Sequence, residues 1–178
     1  MLIKKHQHSK MSFNKPLFTI ITPTLNNKIG LIKTINSVKA QKLTNFEFIV
    51  VDGGSTDGTI EILNESKIIT RWISENDKGI YDAINKGINF SNGKYINTIN
   101  SGDTYFSENS LSIIKDYFDK NDVSFVFGAV KKKKIHYKYK PEKINWSFNF
   151  YPAHSGGFFV KKEVHDKIGL YNLKYLCS

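Results

Sequence analysis

Short continuous apolar runs alternate along the chain with segments of helical periodicity. Residues 17–22 and 46–51 are β-branched or aromatic runs, which predict buried strands. Between them, residues 29–41 place Leu31, Ile35 and Val38 at helical spacing. The same alternation predicts further helices over residues 58–66 and 80–90 and around 111–118, and further strands over residues 68–74, 95–99 and 124–130.

This alternation predicts the fold class. Strands without polar interruptions are buried on both faces, which is typical of parallel sheets covered by helices. We therefore expect an α/β fold, a Rossmann-like three-layer sandwich with a mostly parallel central sheet. Ligands of such sheets bind at the carboxyl ends of the strands.

Polar segments follow four of the predicted strands, so we expect them to lie along one edge of the sheet. They carry several carboxylates, namely Asp52, Asp57, Glu75, Asp77, Asp82 and Asp103. Carboxylates repel a bare diphosphate. They can help to bind a nucleotide when they hold a divalent cation, or when they accept hydrogen bonds from its sugar and base. A turn or a helix cap is the alternative for each acid taken alone. The glycine-rich dinucleotide and Walker phosphate motifs are both missing.

Composition excludes several classes of protein. The 178 residues are 40% hydrophobic and 24% charged, which suits one core and excludes wholesale disorder. No apolar run is long enough to span a membrane, and no apolar segment follows the basic start as in a secretory signal. The single cysteine, Cys177, excludes an internal disulfide and a cysteine-based zinc site. We expect a cytoplasmic protein.

The net charge of +10 belongs to two segments, residues 1–15 and 128–143. Nearly all the cations are lysines, and Arg71 is the only arginine. Proteins that read bases rely on arginine forks, which lysine cannot imitate, so nucleic acid is not the expected partner. Lysine-rich patches suit anionic membranes or polyanionic substrates, and they also serve as plain solvated faces. A nucleic-acid-binding protein acting through residues 131–140 is the least favoured alternative.

Four sequence segments carry a specific resemblance. They read TIITPTLN (residues 19–26), IVVDGGSTDGT (49–59), SENDKGIYDAINKG (74–87) and NTINSGD (97–103). In order and spacing they resemble the amino-terminal half of glycosyltransferase family 2, which has the GT-A fold. The third segment resembles a polysaccharide-building subgroup of that family. A weaker resemblance continues through residues 154–160 and 169–175.

The resemblance implies an inverting, metal-assisted transfer of a sugar from a nucleotide-diphosphate-sugar to a hydroxyl acceptor in bacterial surface polysaccharide synthesis. It implies that Asp103 binds Mg²⁺ or Mn²⁺ and that His154 lies on the acceptor side. The acceptor would be a saccharide or a lipid-linked saccharide, with peripheral contact at the inner membrane face. The resemblance also implies a set of nucleotide-binding residues, namely Thr22, Pro23, Thr24, Asn26, Asp52, Asp77, Lys78, Asp82, Asn85, Lys86 and Ser101.

The sequence departs from the family in two respects. Ser101 and Gly102 precede a single Asp103 where the family motif often has two acids. The general base of the family lies a few residues after the stretch that residues 169–175 resemble, so we expect it beyond Ser178 and identify no catalytic residue. We therefore divide the single structural domain into a basic disordered tail (1–15), a nucleotide-sugar-binding α/β part (16–130) and a truncated start of the acceptor region (131–178). A catalytically inactive nucleotide-binding remnant is the alternative.

Overall fold

The computed structural model describes residues 2–5, 15–132, 135–137 and 155–174, the first and third of these ranges by backbone alone. In these ranges the main sheet has seven strands in the spatial order β1-β4-β3-β2-β5-β9-β6. The strands are β1 (Leu2–Lys5), β2 (Phe18–Thr24), β3 (Phe46–Asp52), β4 (Arg71–Ser74), β5 (Tyr95–Thr98), β6 (Phe125–Phe127) and β9 (Phe158–Lys161). Strands β2 to β5 are mutually parallel, and β1 and β9 run antiparallel to their neighbours. The predicted α/β fold class with a mostly parallel sheet is confirmed.

Helices cover both faces of this sheet. The helices are α1 (Lys28–Lys39), α2 (Thr59–Glu65), α3 (Ile80–Asn89), α4 (Ser110–Lys120) and α5 (Lys162–Ile168). Helices α1, α2 and α4 pack on one face and α3 and α5 on the other. A small hairpin, β7 (Val130–Lys132) with β8 (Ile135–Tyr137), and one 3₁₀ turn (Ser155–Gly157) precede β9.

The apolar pattern of β2 explains the two-sided core. Ile20 packs with α1, α2 and α4, whereas its neighbour Ile21 packs with α3, because successive strand side chains point to opposite faces. Both side chains are fully buried. Gly87 of α3 lies against Ile21, and a Cβ at that position would collide with the isoleucine. The glycine therefore lets α3 approach the sheet closely.

Two details differ from the sequence-based expectation. Residues Leu2–Lys5 form an edge strand antiparallel to β4, although we expected a disordered tail over residues 1–15. Strand β9 inserts between β5 and β6, a pairing with no local signal in the sequence. Among the described residues, no helix combines the length and the apolar character needed to cross a bilayer.

Candidate functional site

The carboxyl ends of the central strands bring the predicted polar segments together. In register, Thr24 of β2 lies opposite Asp52 of β3, and Asp52 lies opposite Ser74 of β4. Beyond the strand ends, the Ser101 N–H donates to the Pro23 carbonyl at 3.3 Å, and the Glu75 N–H donates to the Asp52 carbonyl at 3.0 Å. The four segments therefore share one edge, as expected.

Asp52 organises the loop that follows β3. Its side chain is fully buried, and Oδ2 accepts from the backbone N–H groups of Gly54 and Ser55 at 3.2 and 3.0 Å. The Ser74 hydroxyl donates to the same oxygen at 2.7 Å, and the Ser55 hydroxyl donates to Oδ1. A buried carboxylate with this many donors stabilises one loop conformation. Asp52 thus finds its partners within the protein, and its contact with a nucleoside stays a prediction.

Asn26 joins the β2 loop to the β3 loop. It lies in the left-handed region at φ 46°, its Oδ1 accepts from the Thr56 N–H at 2.9 Å, and its own N–H donates to Ser55 Oγ at 2.7 Å. Asp57, one of the edge carboxylates but outside the predicted nucleotide-binding set, accepts from the Lys28 N–H at 2.8 Å at the start of α1. Hydrogen bonds from the Thr59 hydroxyl and the Lys28 N–H hold the pKa of Asp57 below its usual value. These contacts fix the two loops relative to each other.

A network of charged side chains surrounds the first turns of α3. The Lys78 N–H donates to Asp82 at 3.0 Å, and the Lys86 ammonium contacts Asp82 at 3.1 Å and Glu75 at 2.9 Å. The Lys78 N–H bond lowers the pKa of Asp82. Partial burial disfavours the Lys86 ammonium, but the two carboxylates raise its pKa. Asp77 accepts from the Gly79 N–H at 2.9 Å and shapes the turn into α3.

The side chain of Asn85 on α3 bonds to the segment after α5. Its Nδ2 donates to the Tyr171 carbonyl at 2.8 Å, and its Oδ1 accepts from the Tyr171 N–H at 2.9 Å. The structure therefore gives Asn85 a partner other than the predicted nucleotide.

Four buried oxygen atoms at the ends of β2 and β5 have no hydrogen-bond partner in the described structure. They are Thr22 Oγ1, Thr24 Oγ1, Asn100 Oδ1 and Ser101 Oγ. Unpaired buried polar groups are costly, so native proteins rarely keep them without a functional reason. Three of the four belong to residues that the sequence singled out. Asn100 lies in the NTINSGD segment directly after a parallel strand, but the sequence analysis gave it no role of its own.

Asp103 follows these atoms on a loop that α1 holds in place. The Thr34 hydroxyl on α1 donates to the Asp103 carbonyl at 2.8 Å and accepts from the Gly102 N–H at 3.0 Å. Gly102 has φ 104°, a conformation that side chains rarely adopt. Within the described ranges, no three His, Cys, Asp or Glu side chains form a metal-binding group.

The chemistry of the donor atoms at this loop suits a hard cation. The Asp103 carboxylate and the buried Asn100 side-chain carbonyl are both oxygen donors, as Mg²⁺ and Mn²⁺ prefer. One carboxylate is too few for a complete shell, so a bound diphosphate and water would supply the other ligands. The residues fit a cation that arrives with a phosphate ligand.

Three further residues lie toward the carboxyl end of the chain. His154 falls outside the described residues, so its placement on the acceptor side stays a prediction. Glu163 and Asp166 are exposed on α5, and Asp166 pairs with Lys162 at 3.1 Å. Neither acid lies at the carboxyl ends of the parallel strands, because α5 follows β9, which runs antiparallel to β5 and ends beside Tyr95.

Comparison with known proteins finds glycosyltransferases. The chain is 29% identical over 172 residues to a PGL/p-HBAD biosynthesis glycosyltransferase of Mycobacterium tuberculosis, covering 90% of this chain and 65% of the relative. The chain thus spans just under two-thirds of the length of this relative. Chondroitin synthase of Escherichia coli is 31% identical over 109 residues, which are 60% of this chain and 16% of that protein.

Solved structures share the fold at low sequence identity. S. aureus TarS 1-349 in complex with UDP-GlcNAc has a TM-score of 0.70 at 18% identity, over 84% of this chain and 46% of TarS. The mannosyltransferase PcManGT from Pyrobaculum calidifontis, in complex with GDP-Man and Mn²⁺, has a TM-score of 0.69 at 18% identity, over 90% of this chain and 49% of that one. The sequence model of glycosyl transferase family 2 matches residues 19–173. The chain therefore belongs to glycosyltransferase family 2.

Proposed function

We propose that the carboxyl edge of the sheet binds a nucleotide-diphosphate-sugar and that the protein transfers the sugar to a hydroxyl acceptor. The four unpaired buried oxygens at the ends of β2 and β5 are the main support. A nucleoside offers N–H and hydroxyl donors that would satisfy the Thr22, Thr24 and Ser101 oxygens, and a cation held by Asp103 would satisfy the Asn100 oxygen. Solved relatives of this fold are complexes with UDP-GlcNAc and with GDP-Man.

Some residues of these loops would contact the nucleoside, and others would hold the loops in place. Thr22, Thr24 and Ser101 would contact the nucleoside, and Pro23 would line its pocket. Asp52 would act mainly through the loop that it holds, because its oxygens already accept from that loop and from Ser74. Asn26, at the end of β2, would hold the loop after β3 in place by accepting a hydrogen bond from the Thr56 N–H.

The start of α3 would lie beside the diphosphate. Helix N-termini carry free N–H groups and a partial positive charge that favour phosphate. A Cβ at Gly79 would meet nothing within 4 Å, so this turn has open space for a ligand. Lys78 is exposed there, while Asp77, Asp82 and Lys86 would set the shape and charge of the turn.

Asp103 would hold Mg²⁺ or Mn²⁺ together with the diphosphate. The cation supplies positive charge that neutralises the diphosphate as it leaves. Arg71 cannot substitute for it, because the arginine begins β4 at the opposite edge, where its guanidinium lies 5.1 Å from the Phe90 ring centre. The Mn²⁺ in the PcManGT complex supports this assignment.

We assign the transfer an inverting course, in which the acceptor hydroxyl attacks the anomeric carbon from the face opposite the departing nucleoside diphosphate. The acceptor hydroxyl then gives its proton to a general base, for which a carboxylate is the expected group. We further propose a place in bacterial surface polysaccharide or glycolipid synthesis, which the names of the relatives support. The lysine-rich segments are the support for a peripheral position at the inner membrane face.

Turnover with radiolabelled UDP- and GDP-sugars tests this function. We expect transfer to a saccharide or lipid-linked acceptor that depends on Mn²⁺ or Mg²⁺ and yields the inverted anomer. Nucleotide binding without turnover would support the inactive-remnant alternative. Failure of every nucleotide-sugar to bind a folded sample would contradict both.

A further inference from the structure

Helix α1 carries a line of polar side chains that all bond to one loop, the loop between β5 and α4. The line comprises the N-cap residue Asn27, then Thr34 and Ser37 on the helix, and Gln41 just after its end. These positions follow one another at intervals of seven, three and four residues, which return to nearly the same side of an α-helix. One side of α1 is therefore fitted to the loop that carries Asp103.

Three members of this line contact the loop by one hydrogen bond each. The bonds are from Asn27 Nδ2 to the Ser101 carbonyl at 3.0 Å, from the Tyr105 N–H to Ser37 Oγ at 2.8 Å, and from Gln41 Nε2 to the Ser107 carbonyl at 2.8 Å. They hold the loop at its beginning, its middle and its end.

Thr34 differs from the other three because its hydroxyl bonds to two consecutive loop residues. It accepts from the Gly102 N–H at 3.0 Å and donates to the Asp103 carbonyl at 2.8 Å. The Gly30 and Asn100 carbonyls lie further from the hydroxyl, at 3.3 Å each. Thr34 is fully buried, so water cannot replace these bonds when the hydroxyl is removed.

The turn at Gly102 and Asp103 needs such a hold. Gly102 lies at φ 104°, a conformation that glycine enters and leaves with little steric restriction. The direction of the Asp103 carboxylate depends on the backbone conformation at these two residues. Groups that orient a metal ligand commonly change metal affinity 10- to 100-fold when they are replaced.

We propose that Thr34 is a positioning residue for the cation site, and that its hydroxyl fixes the Gly102–Asp103 turn so that the Asp103 carboxylate is directed at a cation bound with the diphosphate. This inference rests on the proposed function, because it assumes that Asp103 binds the cation. It gives a buried hydroxyl on α1, which itself contacts no ligand, control over metal affinity.

Calorimetric titration with UDP or GDP, once in EDTA and once with Mn²⁺, separates metal-independent from metal-dependent binding. Thr34→Val keeps the branched shape of the side chain and removes the hydroxyl. We expect this variant to lower nucleotide affinity about ten-fold with Mn²⁺ and to leave the affinity in EDTA within about two-fold of the wild-type value. Thr34→Ser should restore both wild-type affinities, because it returns the hydroxyl.

Thr19→Val is the matched control, because Thr19 has the same pair of bonds at the amino ends of the parallel strands. Its fully buried hydroxyl accepts from the Gly93 N–H at 2.9 Å and donates to Glu47 at 2.6 Å. We expect this variant to lose stability but to keep the wild-type response to Mn²⁺. Hydrogen exchange should rise in residues 101–105 of Thr34→Val and not of Thr19→Val. Equal losses of Mn²⁺-dependent affinity in both variants would overturn the proposal.

A double-mutant cycle tests whether Thr34 acts through Asp103. Once Asp103 is replaced by asparagine, Thr34→Val should cause no further loss of nucleotide affinity with Mn²⁺. A further loss of full size, or a wild-type response to Mn²⁺ in Thr34→Val alone, would overturn the positioning role and leave the donor site in place. If Thr34→Val does not fold, Thr34→Ala replaces it with the same expected results.

The wild-type chain separates this proposal from the one on which it rests. Nucleotide binding that Mn²⁺ does not strengthen would refute the cation site and the role of Thr34 with it, but not the nucleotide site. Absence of nucleotide binding to a folded sample would refute the donor site as a whole.

Discussion

The side chain of Asn85 forms two hydrogen bonds with the backbone of Tyr171, which lies 86 residues further along the chain. The Tyr81 ring, one helical turn earlier on α3, stacks on the Tyr171 ring with 5.4 Å between centroids. Helix α3 therefore joins two functional parts of the molecule: it begins at the candidate diphosphate turn, and its flank holds the segment after α5.

Replacing Asn85 by alanine should release that segment. The change leaves the partly buried N–H and C=O groups of Tyr171 without their partner, so we expect the free energy of unfolding to fall by about 1–3 kcal/mol. Hydrogen exchange should rise in residues 169–174, and nucleotide affinity should change little. Asn89→Ala is the control, because Asn89 is exposed on the same helix. Nucleotide affinity that falls with unchanged hydrogen exchange would instead support the predicted nucleotide contact.

Replacing Asp52 by alanine should disorder the loop after β3. Two backbone N–H groups and two hydroxyls lose their acceptor, for which we expect a loss of about 3 kcal/mol in unfolding free energy. UDP or GDP affinity should fall at least about ten-fold with or without metal. Asp116→Ala, at an exposed position on α4, should leave stability and affinity nearly unchanged. Unchanged nucleotide affinity in Asp52→Ala would remove this loop from the site.

Replacing Asp103 by asparagine should abolish only the metal-dependent part of nucleotide binding. The substitution keeps the shape of the side chain but removes its charge, and a hard cation prefers a carboxylate. We expect Mn²⁺ to increase the thermal shift produced by UDP or GDP in the wild-type chain and in the control Asp116→Asn, but not in Asp103→Asn. An equal Mn²⁺ effect in all three proteins would exclude Asp103 as a ligand.

His165 should make stability depend on pH. Burial lowers the pKa of His165 below 6.5. The Gly169 carbonyl and Asp166 oppose this shift, and the Lys162 charge adds to it. The unfolded chain therefore takes up a proton before the folded chain does, so this contribution is present above 6.5 and is lost as the pH falls. Chemical denaturation between about pH 7.5 and 5.5 should give a steeper loss of stability for the wild type than for His165→Gln. Identical slopes would show that His165 does not contribute.

The local patterns predicted the α/β class and the edge where the loops meet. Apolar runs and helical periodicity depend on nearby residues only, and the strand-end rule then places Thr24, Asp52 and Asp103 near one another. The motifs did not reveal that the Asp52 carboxylate already accepts several hydrogen bonds within the protein, because two of the donors are backbone N–H groups.

Contacts between residues far apart in the chain could not be predicted from local sequence patterns. Strand β9 enters the sheet from far along the chain, and nothing in its own residues specifies β5 and β6 as neighbours. Glu47 is a second example: it is buried at the opposite edge, where it accepts from Thr19 at 2.6 Å and from the Gly93 N–H at 3.1 Å. A glutamate inside an apolar run gives no sign of such partners, which lie on other elements.

Calorimetric titration of the chain with UDP-GlcNAc and with GDP-mannose, each with and without Mn²⁺, tests the donor site most directly. We predict saturable one-to-one binding of at least one of them, strengthened by Mn²⁺ and weakened at least about ten-fold in Asp52→Ala. A chain that is folded by circular dichroism yet binds neither ligand in the presence of Mn²⁺ would contradict it.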